Sequence, residues 1–165
     1  MRNIILDMDG TLLDHYSNDY NKVTIVARPY LSYFFKYLFD NYDNVSIWTN
    51  GSLEWYSHCY REILSSYIPD NKSFDFVVTF DDNLISCKLT SPKKLQIIYD
   101  IHSKYNETNT ILIDDSKHTL TCDLKNSILI PSYICYPELY FDEDEIDDDE
   151  ELLNIVNILK VSNRI

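Results

Sequence analysis

The stretch Asn3-Ile4-Ile5-Leu6-Asp7-Met8-Asp9-Gly10-Thr11-Leu12-Leu13 decides the fold of this chain. Its first part is a short apolar run that ends in acid, which is typical of a buried strand that delivers a carboxylate at its carboxyl end. Two later segments repeat the pattern: Val45-Ser46-Ile47-Trp48-Thr49 leads into Asn50-Gly51, and Thr110-Ile111-Leu112-Ile113 leads into Asp114-Asp115. Three apolar strands of this kind predict a parallel sheet that is covered on both faces.

Segments with helical periodicity separate these strands. Arg28-Pro29 predicts a helix start, because proline is tolerated at the first helical position, and apolar residues then recur with helical spacing from Leu31 to Phe39. Further helices are predicted from Ser52 to Ser65, from Ser91-Pro92 to about Tyr105, and from Glu151 to Lys160. The alternation predicts an α/β fold with a Rossmann-like parallel sheet flanked by helices, in one domain over residues 1–165.

The remaining segments predict smaller features. A polar, turn-rich loop runs from Asp9 to about Asn21 and precedes the β-branched run 23–26. Segments 74–79 and 84–88, separated by Asp81-Asp82-Asn83, predict a small β-hairpin insertion, and 127–130 predicts a fourth strand. Because a short loop separates Asp9 from Arg28, and a helix and a hairpin occupy most of the stretch after Thr49, we expect no large cap domain.

The charge of the chain limits its partners. With 27 acidic and 14 basic residues it carries a formal net charge of -13, which repels nucleic-acid backbones and anionic membranes and tolerates cations. No apolar run approaches the roughly 18 residues of a membrane span, and Met1 leads directly into a strand with no signal-peptide pattern. We therefore expect an intracellular protein, cytoplasmic or nuclear, with no direct nucleic-acid or membrane partner.

The counts of cysteine and glycine exclude several kinds of site. The four cysteines are widely spaced with no C-x-x-C pair, which predicts reduced thiols in the core rather than a zinc site or a disulfide framework. Two glycines in the whole chain argue against a glycine-rich phosphate loop. A phosphate site in this protein therefore has to be built in another way.

Polar residues at three strand ends predict one chemical site, because ligands of open parallel sheets bind beyond the carboxyl ends of the strands. If the strands are neighbours, Asp7 and Asp9 converge with Thr49-Asn50 and Asp114-Asp115. Carboxylates gathered in one crevice require a neutralising cation, and their hard oxygens suit Mg²⁺. A carboxylate can attack phosphorus to form an aspartyl-phosphate, and a second acid can protonate the leaving oxygen.

The motif Asp7-Met8-Asp9-Gly10-Thr11-Leu12 resembles the D-x-D-G-T-L motif of the haloacid-dehalogenase superfamily of phosphatases. Segments 28–31, 46–50 and 113–116, with the acidic C-terminal stretch, are similar to the branch that dephosphorylates the carboxy-terminal domain of RNA polymerase II, the NLI-interacting-factor-like branch. The resemblance covers almost the whole chain. Gly10 stands where that branch commonly has glutamate.

The resemblance implies a role for each matching residue. It makes Asp7 the nucleophile and a Mg²⁺ ligand, and Asp9 the general acid/base that binds the metal through its carbonyl. Thr49 binds phosphoryl oxygens, together with backbone groups near the motifs. The phosphate-binding set is Met8, Asn50, Gly51 and Lys93, and the further metal positions are Asp115, as ligand, and Asp114 behind it.

The family's lysine has three candidates. Lys94 shares a predicted helical face with Ile97, Ile98 and Ile101, so its stem would lie on the core with its ammonium at the phosphate. We rank Lys94 above Lys93, and above Lys88, which lies before the predicted helix.

The resemblance implies a Mg²⁺-dependent phosphomonoesterase, and an uncapped site admits a phosphoserine or phosphothreonine of a protein. Two alternatives stay open at this point. One is a phosphatase of a small phosphorylated metabolite, a nucleotide or a nucleic-acid end, and the other is a catalytically silent binding module on the same fold.

Overall fold

The computed structural model describes residues 1–17, 22–82, 93–120, 124–136 and 147–162. Within them lie strands β1 (Asn3–Leu6), β2 (Leu13–Ser17), β3 (Val23–Ala27), β4 (Asn44–Trp48), β5 (Val77–Val78), β6 (Thr110–Asp114) and β7 (Ser127–Leu129). The helices are α1 (Leu31–Asn41), α2 (Leu53–Cys59), α3 (Ser65–Tyr67), α4 (Leu95–Ile101), α5 (Lys117–Leu120) and α6 (Glu151–Ser162). A π-helical segment, Tyr60–Leu64, joins α2 to α3.

Five strands form the central sheet in the order β5-β4-β1-β6-β7, and all neighbours are parallel. The predicted α/β fold with a parallel sheet and flanking helices is confirmed. Strand β1 lies in the middle, and its four residues are fully buried. The carboxyl ends of β4 and β6 therefore lie on either side of the end of β1, as the sequence analysis expected if the three polar strand ends converge.

Two apolar clusters cover the two faces of the sheet. Successive side chains of β1 point to opposite faces, so Ile4 and Leu6 join one cluster and Ile5 joins the other. The larger cluster includes the apolar faces of α1 and α6, and the smaller includes Leu95 and Ile98 of α4. Burial of this apolar surface is what holds the sheet between its helices.

The segment after the first motif differs from the sequence prediction. Strand β2 pairs antiparallel with β3, from Leu13 opposite Ala27 to Ser17 opposite Val23, so the predicted loop contains a strand. Asp14 and Tyr16 are half-buried and His15 and Ser17 are exposed, which is the alternation of a strand with one solvated face. The polar residues of that outer face gave the segment its loop-like composition.

Three other boundaries are corrected. Helix α1 begins at Leu31 rather than at Pro29, because Tyr30 adopts a left-handed conformation with φ of 63°. Strand β5 pairs parallel with β4 in the central sheet, and the partner predicted for a hairpin, 84–88, lies outside the described residues. Helix α4 begins at Leu95 and ends at Ile101, and its predicted start at Ser91-Pro92 also lies outside them.

The two described cysteines agree with the prediction of buried thiols. Cys59 and Cys135 are free and buried, and burial raises the pKa of each thiol to about 12. Cys87 and Cys122 lie outside the described residues. Among the helices that the structure describes, none combines the length and the apolar character that crossing a bilayer requires.

A buried arginine ties the C-terminal helix to the loop after β1. Arg28 donates from Nε and Nη2 to the two carboxylate oxygens of Asp149, both at 2.8 Å. Its Nη1 donates to the carbonyls of Gly10 and Thr11 at 3.4 and 3.3 Å, and its guanidinium lies 5.4 Å from the ring centre of Tyr133. The planar, five-donor guanidinium suits this combination of partners, and an ammonium does not.

The substitution Asp149→Asn is expected to lower the free energy of unfolding by about 3 kcal/mol, because it leaves the Arg28 charge buried without its counter-ion. Urea unfolding measures this loss. The control is Asp40→Asn, which breaks the exposed pair with Lys36 and should change stability by less than about 0.5 kcal/mol. Equal effects of the two substitutions would show that the Arg28 pair does not anchor the helix.

Candidate active site

The carboxyl ends of β1, β4 and β6 gather the polar residues that the sequence identified. Asp7 follows β1 and donates its backbone N–H to the carbonyl of Ile113 in β6, at 2.9 Å. Thr49 follows β4 and donates its backbone N–H to Val78 of β5, at 3.0 Å. Backbone hydrogen bonds of the sheet therefore fix the two chain segments that carry these side chains, and Asp114 is the last residue of β6.

A buried lysine joins two of these carboxylates. The Lys93 side chain is 4% exposed, and its ammonium donates to Oδ1 of Asp7 and, at 2.7 Å, to Oδ2 of Asp114. Burial favours the neutral amine, but the two carboxylates outweigh this effect and raise the pKa of Lys93 above its ordinary value. Lys93 is therefore charged in the neutral pH range.

The position of Lys93 corrects the prediction that Lys94 reaches the site. Lys94 is exposed and is the residue that precedes α4, so it does not lie on the core-facing side of that helix. The prediction assumed that the helix already includes these lysines, whereas the chain before Leu95 is extended at Lys94. In extended chain successive side chains point to opposite sides, which sends Lys93 inward and Lys94 outward. Lys88 lies outside the described residues.

Three carboxylates form the centre of the site. One oxygen each of Asp7, Asp114 and Asp115 lies within 4.8 Å of the others. Asp114 is buried and its Oδ1 also accepts the backbone N–H of Ser116 at 2.8 Å, whereas Asp115 is half-buried. Together with Lys93, the cluster carries two net negative charges, which one divalent cation would balance.

The oxygens of this cluster fit a hard divalent cation. Carboxylate oxygens are the ligands that Mg²⁺ prefers, and Asp7 and Asp115 would hold it, while Asp114 is also engaged by Lys93 and Ser116. The structure thus supports a divalent metal site at the predicted aspartates.

Gly10 gives Asp115 the room to approach the first motif. Its φ is +74°, a conformation that residues with a Cβ rarely adopt. A Cβ added at Gly10 would lie 2.5 Å from Oδ2 of Asp115 and 2.8 Å from Oγ of Ser132. The glycine is therefore a local requirement, and a glutamate at this position would need Asp115 and Ser132 to move.

The pKa of Asp7 reflects its surroundings. Burial is the largest influence and raises this pKa from 3.8 to about 6, and the neighbouring carboxylates of Asp114 and Asp115 act in the same direction. Lys93 opposes the increase by Coulombic attraction and by its hydrogen bond. A cation bound at these carboxylates would act in the same direction as Lys93, favouring the ionised form of Asp7.

The second aspartate of the motif is held from two sides. Asp9 is half-buried, and its Oδ1 accepts the indole N–H of Trp55 at 2.7 Å. Its Oδ2 accepts the hydroxyl of Thr49 at 3.3 Å, and the same hydroxyl oxygen accepts the backbone N–H of Gly51 at 2.9 Å. Asp9 is therefore oriented by residues that follow β4, the strand next to its own.

The other predicted binding residues lie close to these groups in different settings. Met8 is fully buried in the larger apolar cluster, and its carbonyl accepts the N–H of Thr11 at 3.2 Å and of Leu12 at 2.8 Å. Gly51 is half-buried next to Thr49, and Asn50 is exposed. The Met8 side chain is therefore part of the core, which leaves its backbone as the group available for binding.

Two contacts of the site were missed from the sequence. Thr11 belongs to the quoted motif, and its hydroxyl donates to Oδ2 of Asp7 at 3.2 Å. Trp55, which donates to Asp9, is 46 residues away in sequence. One sequence feature could have indicated the Trp55 contact. Ser52 is the N-cap of α2, and a helix start at this position places the first turn, which contains Trp55, beside the end of β4.

Comparisons with known proteins found a matching family and several relatives. The sequence model of the family described as NLI interacting factor-like phosphatase matches residues 2–164. A CTD phosphatase-like protein of Invertebrate iridescent virus 6 is 27% identical over 186 residues, covering 96% of this chain and 97% of the viral protein. The ubiquitin-like domain-containing CTD phosphatase 1 of Drosophila melanogaster is 29% identical over 133 residues, covering 77% of this chain. This chain matches only 40% of the fly protein's length.

A solved structure shares the fold. The structure of Fcp1, described as an essential RNA polymerase II CTD phosphatase, superposes with a TM-score of 0.70 at 15% identity. The superposition covers 96% of this chain and 61% of Fcp1. At this identity the comparison shows a shared fold alone.

The raised pKa of Asp7 predicts a pH dependence of stability in the metal-free protein. Between pH 4 and 6 the unfolded chain releases the Asp7 proton while the folded chain keeps it, so stability falls as the pH rises. Relative to Asp7→Asn, the wild type should lose on the order of 3 kcal/mol over this range. Urea unfolding in EDTA measures the difference. A constant or widening advantage of the wild type would contradict the assignment.

Proposed function

The chain belongs to the NLI interacting factor-like phosphatase family, and we propose that it is a Mg²⁺-dependent phosphomonoesterase that works through an aspartyl-phosphate on phosphoserine or phosphothreonine of a protein. The observation that carries the proposal is the ammonium of Lys93 between Asp7 and Asp114 at the end of the central strand. A buried cation next to a carboxylate keeps that carboxylate ionised and attracts a phosphate dianion.

The reaction begins with attack by Asp7. A carboxylate oxygen of Asp7 forms a bond to phosphorus, and the bond between phosphorus and the ester oxygen of the substrate breaks. The leaving oxygen takes a proton from the Asp9 carboxyl and departs as the serine or threonine hydroxyl. In the second half, water attacks the phosphorus, returns a proton to Asp9 and releases Asp7 and phosphate.

The other residues of the site stabilise charge during both steps. Lys93 contacts the carboxylate that attacks, so its ammonium also faces the phosphoryl group that this carboxylate receives. The Thr49 hydroxyl and the N–H of Gly51 meet beside Asp9 and would hold the phosphoryl oxygens. Asp7, Asp115 and the carbonyl of Asp9 would hold Mg²⁺, which would supply further electrostatic stabilisation of the same phosphoryl oxygens.

The small size of the described insertion after the first motif supports a protein substrate. Between Asp9 and Arg28 the described residues form only the short β2–β3 hairpin, which is far smaller than a cap domain. The relatives matched in sequence are named CTD phosphatases or CTD phosphatase-like, which supports a phosphorylated segment of a protein as the substrate. The net charge of -13 disfavours a nucleic-acid end.

A panel of phosphate esters tests the substrate class. We expect the protein with Mg²⁺ to hydrolyse phosphoserine and phosphothreonine peptides with higher kcat/KM than sugar phosphates or nucleotides, and Asp7→Asn to be inactive because an amide cannot form the phosphoenzyme. Turnover of the small molecules alone would contradict the protein substrate and favour a metabolite phosphatase. Failure to cleave even p-nitrophenyl phosphate would favour a binding module.

Substitution of the two neighbouring lysines tests the role of Lys93. Lys93→Met is expected to lower kcat/KM by about 10²-fold or more, because it removes a positive charge aimed at the reacting phosphoryl group. Lys94→Met, one residue away and exposed, should stay within about twofold of wild type. Steady-state kinetics with circular dichroism to verify folding gives the comparison, and a larger loss in Lys94→Met would contradict the assignment.

Metal removal tests Asp115. EDTA is expected to abolish activity and Mg²⁺ to restore it, and Asp115→Asn should raise the Mg²⁺ concentration for half-maximal activity by about tenfold or more. The control Asp148→Asn removes an exposed carboxylate of the acidic segment and should leave that concentration unchanged. Full activity in EDTA would rule out the metal.

A further inference from the structure

The hydrogen bond between Trp55 and Asp9 is short, direct and specific to one oxygen. The indole Nε1 lies 2.7 Å from Oδ1 of Asp9, whereas the Thr49 hydroxyl lies 3.3 Å from Oδ2. Hydrogen bonds to a carboxylate are strongest near the shorter of these distances. Trp55 is therefore the stronger of the two side-chain contacts described for Asp9.

The indole ring is itself held from several directions. Trp55 lies in the first turn of α2, where the Ser52 hydroxyl accepts its backbone N–H at 3.1 Å. The His15 ring, on β2, packs edge-on with its centre 4.8 Å away, and the His58 ring lies 5.9 Å away. These contacts restrict the direction in which the indole N–H points.

Gly51 allows the indole to lie this close to the site. A Cβ at Gly51 would be 2.8 Å from Cδ1 of Trp55 and 3.5 Å from Oδ2 of Asp9. Any larger residue would therefore push against the ring carbon next to the donating nitrogen. The glycine, the indole and the carboxylate form one packed unit.

We infer that Trp55 is a positioning residue for Asp9. The indole N–H of Trp55 occupies Oδ1 of Asp9 and thereby leaves Oδ2 of Asp9 as the oxygen that exchanges a proton with the ester oxygen and with water. The inference rests on the proposed function. An indole nitrogen donates and cannot accept, so the oxygen that it contacts is held as an acceptor. Oδ2 faces Thr49 and Gly51, the residues proposed to bind the phosphoryl group.

A structural role alone would make a different prediction. Trp55 is half-buried and packs against the larger apolar cluster, so a substitution that only loosens packing would slow every substrate equally. Loss of a correctly aimed acid slows substrates according to their need for a proton. A serine alkoxide leaves poorly without one, whereas p-nitrophenolate leaves readily.

The experiment is therefore Trp55→Phe, which keeps an aromatic ring and removes the N–H. With Mg²⁺, kcat/KM for a phosphoserine peptide should fall by about tenfold or more, while kcat/KM for p-nitrophenyl phosphate should change by less than about threefold. Trp55→His, which offers a ring N–H at the same position, should recover part of the loss with the peptide. Thermal unfolding of each variant verifies that it is folded.

The matched control is Tyr56→Phe, which removes a polar group from the next residue of α2 and should leave both substrates unchanged. An equal fall for both substrates in Trp55→Phe would overturn the inference in favour of packing, and no fall for either would overturn it as well. A wild-type protein that hydrolyses neither ester would contradict the proposed function. An active wild type whose Trp55→Phe variant keeps full activity on both esters would contradict only the role inferred for Trp55.

Discussion

The ammonium of Lys93 and its two carboxylates are the interaction on which the site depends. Asp7 directly follows β1 and Asp114 ends the adjacent parallel strand β6, and both are almost fully buried. Two carboxylates this close would repel each other strongly in the protein interior without a cation between them. Lys93 supplies that cation from the segment before α4, so one side chain links three parts of the chain.

The central position of β1 in the sheet determines which side chains surround Asp7 and Asp9. Because β1 is the central strand, its end receives partners from β4 on one side and from β6 on the other. β6 contributes Asp114 and leads to Asp115, which increase the negative charge around Asp7, and β4 leads to Thr49 and α2, which orient Asp9. Asp7 is thus controlled by charge and Asp9 by hydrogen bonds, which suits the attack proposed for Asp7 and the proton transfer proposed for Asp9.

Most of the fold follows from patterns that a single sequence displays. The three apolar runs ending in polar residues predicted the neighbouring parallel strands correctly, since burial on both faces selects continuous apolar segments. Strand β2 was missed because its outer face is polar, and alternation over so few residues resembles a loop. The choice between Lys93 and Lys94 depended on whether the helix had already begun, and helix starts are the least well defined feature of a sequence. The contact of Trp55 with Asp9 joins residues 46 positions apart, which periodicity does not report.

The most direct test of this account is to identify the residue that carries phosphate during turnover. The protein is mixed with a phosphoserine peptide and Mg²⁺, quenched in acid and reduced with borohydride, which converts an aspartyl-phosphate to homoserine. Mass spectrometry of the digested chain should find homoserine at position 7, in the wild type and not in Asp7→Asn. Homoserine at another aspartate, or a phosphorylated residue of a different type, would contradict the assignment of Asp7 as the nucleophile.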